Sequence, residues 1–242
     1  MTKIGFSTGD LYKTHSPVQA FQELRKMGIT SIELSSRLIR PDNYYHLLDE
    51  FLESSFEGVQ YLSLHFPAIP DKWRYGKNKE TEEVLKRAYH IHSNHPLDLV
   101  IVHPNVVDDF NVFKDLPYPV GFENMDWRKE SYKTPEEMEK LLDENPKAKF
   151  VMDVNHIYTN DKSMALAEKF WKFENRLAEI HLSGFLELHD PLFETKQEEI
   201  IRAIKKTRAP IIIESVLEIK DVPKELEYVK AKLQKQHGIV LN

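Results

Sequence analysis

The sequence predicts an α/β fold, a single-domain (β/α)8 TIM barrel, from three observations. The chain has 242 residues, close to the roughly 250 that are typical of one such barrel. Eight short apolar runs recur along it, and the segments between them carry helix-start signals. Most runs are continuously apolar, as expected of parallel strands that are buried on both faces. An open doubly wound sheet is the alternative, but no glycine-rich phosphate loop follows the first run.

The apolar runs define the predicted strands. In chain order they are Lys3–Ser7, Ser31–Leu34, Tyr61–His65, Leu99–His103, Val120–Glu123, Phe150–Asp153, Ala178–Leu182 and Pro210–Glu214. A polar turn follows each run and leads into the next helical stretch. Eight such strand–helix units fill the chain without a Gly/Ser linker or a low-complexity tract, which favours one barrel over two domains.

The helices between the strands are predicted from their caps. Ser16 precedes a proline, the combination that starts many helices, and Phe21, Leu24 and Met27 then share one face. Gly28 is expected to end that helix.

A second helix start has the same form, with Thr134 as the cap, a proline after it and then two glutamates. Residues 221–236 are predicted to form the closing helix. Phe170, Trp171 and Phe173 are expected to pack on the barrel.

Composition narrows the functional classes. The chain is 41% hydrophobic and 30% charged, and no run approaches the roughly 18 apolar residues of a membrane span. Because there are no cysteines, disulfides, thiolate metal sites and a cysteine nucleophile are excluded. A net charge of −6 disfavours non-specific nucleic-acid binding. The first residues enter a strand-like segment directly, so we predict no signal peptide and a cytoplasmic location.

Ionisable side chains end six consecutive predicted strands. They are His65, His103, Glu123, Asp153, His181 and Glu214. In a (β/α)8 barrel these strand ends surround one mouth, where active sites lie. A single histidine at a strand end is more often structural than a metal ligand. Three acids and three imidazoles together would, however, leave strongly interacting buried charges, which a divalent cation stabilises.

The predicted cofactor is therefore a divalent metal. Mixed imidazole and carboxylate ligands suit zinc first, with Mn, Fe, Co or Mg as alternatives.

The strand-end motifs resemble the xylose isomerase-like TIM-barrel superfamily, and within it endonuclease IV (apurinic/apyrimidinic endonuclease family 2). That pattern has His in strand three, His-Pro at four, Glu-Asn at five, Asp-x-x-His at six, His-Leu at seven and Glu at eight. All six occur here in order, and Glu187-Leu188-His189 fits the acid-x-His pair that follows strand seven. The resemblance implies one xylose isomerase-like TIM-barrel domain over residues 1–242.

The resemblance to endonuclease IV also implies up to three metals. The first would be held by His65, His103 and Glu123, the second by Glu123, Asp153, His181 and Glu214, and the third by His156, Glu187 and His189. Endonuclease IV has Asp where this chain has Glu187, and the Gly-Glu-Gly that often follows is replaced by Phe193-Glu194-Thr195.

The related sugar isomerases and epimerases use a reduced site. The resemblance to them implies one metal at Glu123, Asp153, His181 and Glu214, with Glu123 and Glu214 as the catalytic pair for proton transfer at carbon.

We favour a metal-dependent phosphoester hydrolase, because four further histidines are present: His65, His103, His156 and His189. The sugar (phosphate) isomerase or epimerase is the alternative, and a non-enzymatic binding barrel is a third reading. The expected partner is a phosphoester or sugar substrate, with damaged DNA among the candidates and no membrane.

Three residues near the mouth are candidates for substrate binding. Arg37 follows the second strand and has the geometry to hold a phosphate in a bidentate manner. Trp73 and Arg74 follow the third strand, where a basic and aromatic mixture suits stacking on a base or sugar. A solvated surface arginine and a loop packed on the rim are the alternatives.

Overall fold

Eight parallel strands close into a barrel in a computed structural model that describes residues 2–35, 41–68 and 74–238. The strands are β1 (Ile4–Ser7), β2 (Ser31–Leu34), β3 (Tyr61–His65), β4 (Leu99–Val102), β5 (Val120–Glu123), β6 (Lys149–Asp153), β7 (Leu177–Leu182) and β8 (Ile211–Ile213). Each strand pairs with the next along the chain, and β8 pairs with β1. The predicted (β/α)8 barrel is confirmed, with every strand boundary within one residue of its prediction.

Helices and short 3-10 segments connect the strands. The helices are α1 (Pro17–Lys26), α2 (Pro41–Leu52), α3 (Lys79–Asn94), α4 (Pro135–Glu144), α5 (Val154–Asn160), α6 (Ala165–Phe170), α7 (Leu192–Thr195), α8 (Glu198–Arg202) and α9 (Val222–His237). The 3-10 segments are Thr8–Leu11, Pro104–Val106, Phe110–Phe113, Trp171–Arg176 and Ile219–Asp221. Over the ranges that the structure describes, none of the helices has the length and apolar character to span a membrane.

The predicted helix starts form complete capping boxes. The Ser16 hydroxyl accepts a hydrogen bond from the backbone N–H of Gln19, whose side chain accepts one from the backbone of Ser16. Thr134 and Glu137 repeat this exchange at the start of α4. Each box satisfies backbone donors that a helix start otherwise leaves unpaired.

The predicted apolar face of α1 is correct for two of its three residues. Phe21 and Leu24 are buried, but Met27 is 41% exposed. The helix ends at Lys26, so Met27 is its C-cap and no longer continues the buried stripe. Gly28 follows with φ +79°, the left-handed conformation expected of a residue after a helix.

Alternation along the strands separates an outer core from the barrel interior. In β4, Val100 and Val102 pack in the large apolar core that the helices cover, whereas Leu99 and Ile101 form a separate small cluster with Val151. Since neighbouring strand residues face opposite sides, this second cluster fills the inside of the barrel.

Two glycines let the barrel close around that interior. A Cβ at Gly5 would lie 1.7 Å from the carbonyl oxygen of Ser31, and a Cβ at Gly121 would lie 2.8 Å from the Val151 side chain. The first contact is with backbone, which cannot move without disturbing the pairing of β1 with β2.

We predict that Gly5→Ala lowers the free energy of unfolding by about 3 kcal/mol, because the methyl group overpacks the β1–β2 contact. Urea unfolding followed by circular dichroism measures the change. Gly76→Ala is the control, since its Cβ would make only ordinary contacts, 3.5 Å or more away, and should stay within about 0.5 kcal/mol of wild type. Equal stability of the two variants would contradict the prediction.

Candidate metal centre

The mouth of the barrel gathers the ionisable residues that end the strands. His65, Glu123 and Asp153 are the last residues of β3, β5 and β6, His103 and Glu214 follow β4 and β8, and His181 lies near the end of β7. Two more histidines join them: His156 from the first turn of α5 and His189 from the loop after β7. Parallel strands in register bring all of these side chains to one end of the barrel.

Glu123 lies at the centre of the cluster. Its Oε2 atom is 3.1 Å from Nε2 of His65 and 2.9 Å from Nε2 of His103. Its Oε1 atom is 3.1 Å from Nδ1 of His156 and 3.4 Å from Nδ1 of His181. The two oxygens of one carboxylate, which is 1% exposed, therefore face two different pairs of imidazoles.

Several combinations of these side chains have ligand atoms within 4.8 Å of one another. They are His65, His103 and Glu123; Glu123, Asp153 and His181; Asp153, His156 and His189; and Glu33, His65, His181 and Glu214. The first group matches the first implied metal, and the second contains three of the four ligands of the second. The third group has Asp153 where the resemblance placed Glu187.

Glu187 lies apart from the cluster. Its side chain is exposed, and its backbone lies in a turn where the Asp190 carboxylate accepts hydrogen bonds from the N–H groups of Leu186, Glu187 and Leu188. His189, two residues on, is buried, with its Nδ1 atom 3.0 Å from the Ser183 hydroxyl. Glu187 as a ligand stays a prediction of the resemblance alone.

The candidate substrate residues are only partly described. Arg37 and Trp73 lie outside the described residues. The guanidinium of Arg74 donates through Nε to Asp108 at 2.7 Å and through Nη1 to the carbonyl of Asn105 at 3.3 Å. Arg74 is thus held against the loop that follows β4, and its role toward a substrate stays a prediction.

Sequence reasoning missed two acids that lie deeper in the barrel. Glu33 of β2 and Glu179 of β7 are both 0% exposed, and a carboxylate oxygen of each lies within 3.1 Å of Nε2 of His181. A signal was present in the sequence. Each glutamate interrupts an apolar strand, and Glu179 is two residues before His181, on the same face of β7.

Two asparagines fix the backbone around the cluster. The Asn124 side chain donates to the carbonyl of Asp153 and accepts from its N–H, both at 2.9 Å, which locks the end of β5 to the end of β6. Asn155 donates at 2.6 Å to the carbonyl of Gly184 and so anchors the loop that carries His189. Both asparagines are buried, and their hydrogen bonds fix the backbone that carries Asp153 and the loop that carries His189.

The pKa values of the two central acids, Glu123 and Asp153, are shifted in opposite directions. Burial by itself would raise the pKa of Glu123, but the charge of His181 and hydrogen bonds from His103 and His156 hold that pKa well below its ordinary value. Burial raises the pKa of Asp153 to about 7, aided by the charges of Glu123 and Glu214 and opposed by that of His156. The two carboxylates therefore differ in pKa because their surroundings differ.

Burial and the neighbouring carboxylates also shift the pKa values of the imidazoles. Burial opposes protonation of His65, yet the hydrogen bond and charge of Glu123, together with the charge of Glu33, raise its pKa to about 9. His156, against burial, reaches a pKa of about 10 through the charge of Asp153 and its hydrogen bond to Glu123. Burial instead lowers the pKa of His103. In the absence of a metal, protonated imidazoles supply positive charge to the cluster.

The donor set fits a divalent cation. Four buried atoms have no hydrogen-bond partner in the described part of the chain: Oδ2 of Asp153, Nδ1 of His181 and both carboxylate oxygens of Glu33. Three of them, with Oε2 for Glu33, lie at ion-pair distances from their neighbours. Leaving such atoms without a hydrogen bond costs free energy that a coordinated cation recovers. Carboxylate and imidazole donors without sulfur suit Zn, Mn, Fe or Co.

We predict that Glu123→Gln destabilises the metal-free protein by about 3 kcal/mol at neutral pH, because the buried imidazolium groups lose their central counter-charge. Urea unfolding in the presence of a chelator measures the loss. The matched control is Glu50→Gln, which breaks a 3.3 Å contact with His46 on the exposed face of α2 and should cost less than about 1 kcal/mol. A Glu123→Gln variant as stable as the control would contradict this account.

Comparisons with known proteins identify the fold. No protein-family model and no curated protein matches the sequence. A D-tagatose 3-epimerase-like protein superimposes with a TM-score of 0.65 at 16% identity, covering 97% of this chain and 98% of that one. Endonuclease IV from Thermus thermophilus gives 0.62 at 17% identity, covering 96% and 99%. A D-psicose 3-epimerase gives 0.66 at 11% identity, also covering 96% and 99%.

At these identities the likeness establishes the fold and not the activity. The neighbours include both sugar epimerases and an endonuclease IV, and a xylose isomerase domain-containing protein is also among them. The structural neighbours of this chain are xylose isomerase-like TIM-barrel proteins.

Proposed function

We propose that this chain is a divalent-metal-dependent enzyme that hydrolyses a phosphoester at a multinuclear site in the barrel mouth. The observation that carries the proposal is the placement of Glu123, whose two carboxylate oxygens face separate pairs of imidazoles. A single metal would need only one of these oxygens and its pair of imidazoles. A carboxylate with ligand partners on both sides is suited to bridging two metals.

The proposed ligands follow from these contacts. His65, His103 and Glu123 hold the first metal; Glu123, Asp153, His181 and Glu214 hold the second; His156 and His189, with Asp153 beside them, supply a third position. When bound, such ions lower the pKa of water and neutralise the entering and leaving oxygens of a phosphoester.

The side chains around the site orient these ligands. Nδ1 of His65 lies 2.9 Å from the carbonyl of Phe66, which leaves Nε2 directed at Glu123. The side chain of Glu214 is 8% exposed against 1% for Glu123, so it is the more open of the two catalytic candidates to an incoming substrate. We assign Glu214 the role of accepting the proton that is released during hydrolysis.

The charge distribution favours a small substrate over a long nucleic acid. The chain carries a net charge of −6, and Arg74 on the rim is already paired with Asp108. A net negative charge opposes the binding of a duplex, because contacts between basic side chains and phosphates supply much of the affinity for DNA. We therefore propose a small phosphoester or a sugar phosphate, with damaged DNA as the substrate to be tested against it.

A sugar isomerase or epimerase is the second candidate, and one contact favours it. Nδ1 of His181 lies 3.4 Å from Oε1 of Glu123 and 3.7 Å from Oε1 of Glu214. Two carboxylates thus flank one point, an arrangement that serves proton removal and return at a carbon beside a single metal. The likeness to a D-tagatose 3-epimerase-like protein supports the same candidate.

We predict that the purified chain, reconstituted with zinc or manganese, binds more than one metal per chain, and that His103→Ala lowers the count by about one. Elemental analysis after gel filtration measures the stoichiometry. His46→Ala, an exposed histidine of α2, is the control and should leave it unchanged. One metal in the wild type, retained by His103→Ala, would favour the epimerase. No metal at all would favour a non-enzymatic binding barrel.

We predict that the manganese- or zinc-loaded enzyme cleaves a small phosphoester faster than abasic-site DNA, and that His103→Ala lowers this rate about 100-fold or more. Product release is followed against His181→Ala, which controls for contaminating nuclease. Incorporation of deuterium into a ketose in D2O, with no phosphoester cleavage above the His181→Ala background, would instead establish the epimerase chemistry.

A further inference from the structure

A pair of buried glutamates lies beneath the metal ligands. Glu33 comes from β2 and Glu179 from β7, strands that are separated in the barrel by β8 and β1. Both residues alternate with side chains of the outer core, Ile32 and Leu34 in β2 and Ile180 in β7, so both point into the barrel interior. The two carboxylates meet there from different sides of the barrel.

Both glutamates converge on one nitrogen atom. Nε2 of His181 is 2.8 Å from Oε1 of Glu179 and 3.1 Å from Oε2 of Glu33. The other ring nitrogen, Nδ1, faces the mouth, where Glu123 and Glu214 lie at 3.4 Å and 3.7 Å. The fully buried ring therefore has a carboxylate pair on each of its two nitrogens.

Such an arrangement decides which nitrogen carries the proton. A carboxylate that accepts from one imidazole nitrogen keeps the proton there and leaves the lone pair on the other nitrogen available to a metal. It also makes the imidazole a more basic ligand. Nε2 lies at an ordinary hydrogen-bond distance from Glu179, 2.8 Å, whereas Glu33 makes no hydrogen bond and adds its negative charge at an ion-pair distance of 3.1 Å.

The free-energy cost of burying both Glu33 and Glu179 also indicates that they have a role. Two carboxylates buried without solvent exposure repel each other and lose hydration, a penalty that apolar side chains at these positions would avoid. The only imidazole that both contact, among the described residues, is His181. A cation held at its far side would attract all four surrounding carboxylates and offset that penalty.

We propose that Glu179 and Glu33 are positioning residues, which hold the Nε2–H of His181 and so present Nδ1 as its metal-binding nitrogen. This inference rests on the proposed function only in requiring a metal at the mouth. It applies equally to a hydrolase and to an epimerase, since both would use His181.

The test compares metal affinity in Glu179→Gln, Glu33→Gln and the double variant. Competition against a chromophoric zinc chelator should show 10- to 100-fold weaker binding in the double variant, with Glu179→Gln the weaker binder of the two single variants. Glu137→Gln is the control, because this carboxylate caps α4 and has no contact with the site. It should lose some stability and keep wild-type zinc affinity.

A second measurement reads the tautomer directly in the zinc-loaded protein, where coordination leaves the His181 ring with a single N–H. In ¹⁵N-histidine-labelled wild type, we expect the His181 proton on Nε2 with the downfield shift of a hydrogen bond to carboxylate, and we expect the double variant to lose that shift. Circular dichroism establishes that each variant is folded. If the double variant does not fold, Glu179→Gln alone makes the same comparison.

The outcomes separate this inference from the proposed function. Wild-type zinc affinity in a folded double variant, or a His181 proton that resides on Nδ1, would overturn the positioning role alone. A wild-type chain that takes up no zinc would overturn the proposed function and the positioning role together.

Discussion

The burial of the Glu123 carboxylate among four imidazoles is the constraint on which the rest of the site depends. Its two oxygens contact His65 and His103 on one side and His156 and His181 on the other. An isolated carboxylate at this depth would be too costly to keep ionised, so the histidines and the anion stabilise one another. A divalent cation can take the place of these protons without any change in the sign of the charge that balances Glu123.

The barrel holds the side chains around Glu123 in fixed positions. Adjacent parallel strands place Glu123, Asp153 and His181 at neighbouring strand ends, and Asn124 ties β5 to β6 through two hydrogen bonds at 2.9 Å. Rigid strands carry most of the candidate ligands, while His189 comes from a loop that is itself anchored by Asn155. Ligands held in this way lose little entropy when a metal binds, which favours tight and specific coordination.

The two proposed functions, phosphoester hydrolysis and sugar epimerisation, would use this mouth in different ways, although each proposal assigns a role to Glu123, Asp153, His181 and Glu214. The difference lies in whether His65, His103, His156 and His189 hold further metals or face a substrate hydroxyl. The double-sided contacts of Glu123 support the first use. The layer beneath is common to both, because Glu33 and Glu179 act on His181 whichever reaction follows.

The sequence by itself determined the barrel and the ring of ionisable side chains at its strand ends, because continuous apolar runs and their polar last residues are local signals. It could not show that Met27 lies outside the α1 stripe or that the Glu187 side chain is exposed, since these depend on where α1 ends and on how the loop after β7 folds. Nor could it single out Glu33, whose contact with His181 forms only when the closed barrel brings β2 near β7. Only the tertiary structure decided which carboxylates and imidazoles lie in contact, because their interaction depends on distance and burial and not on separation along the chain.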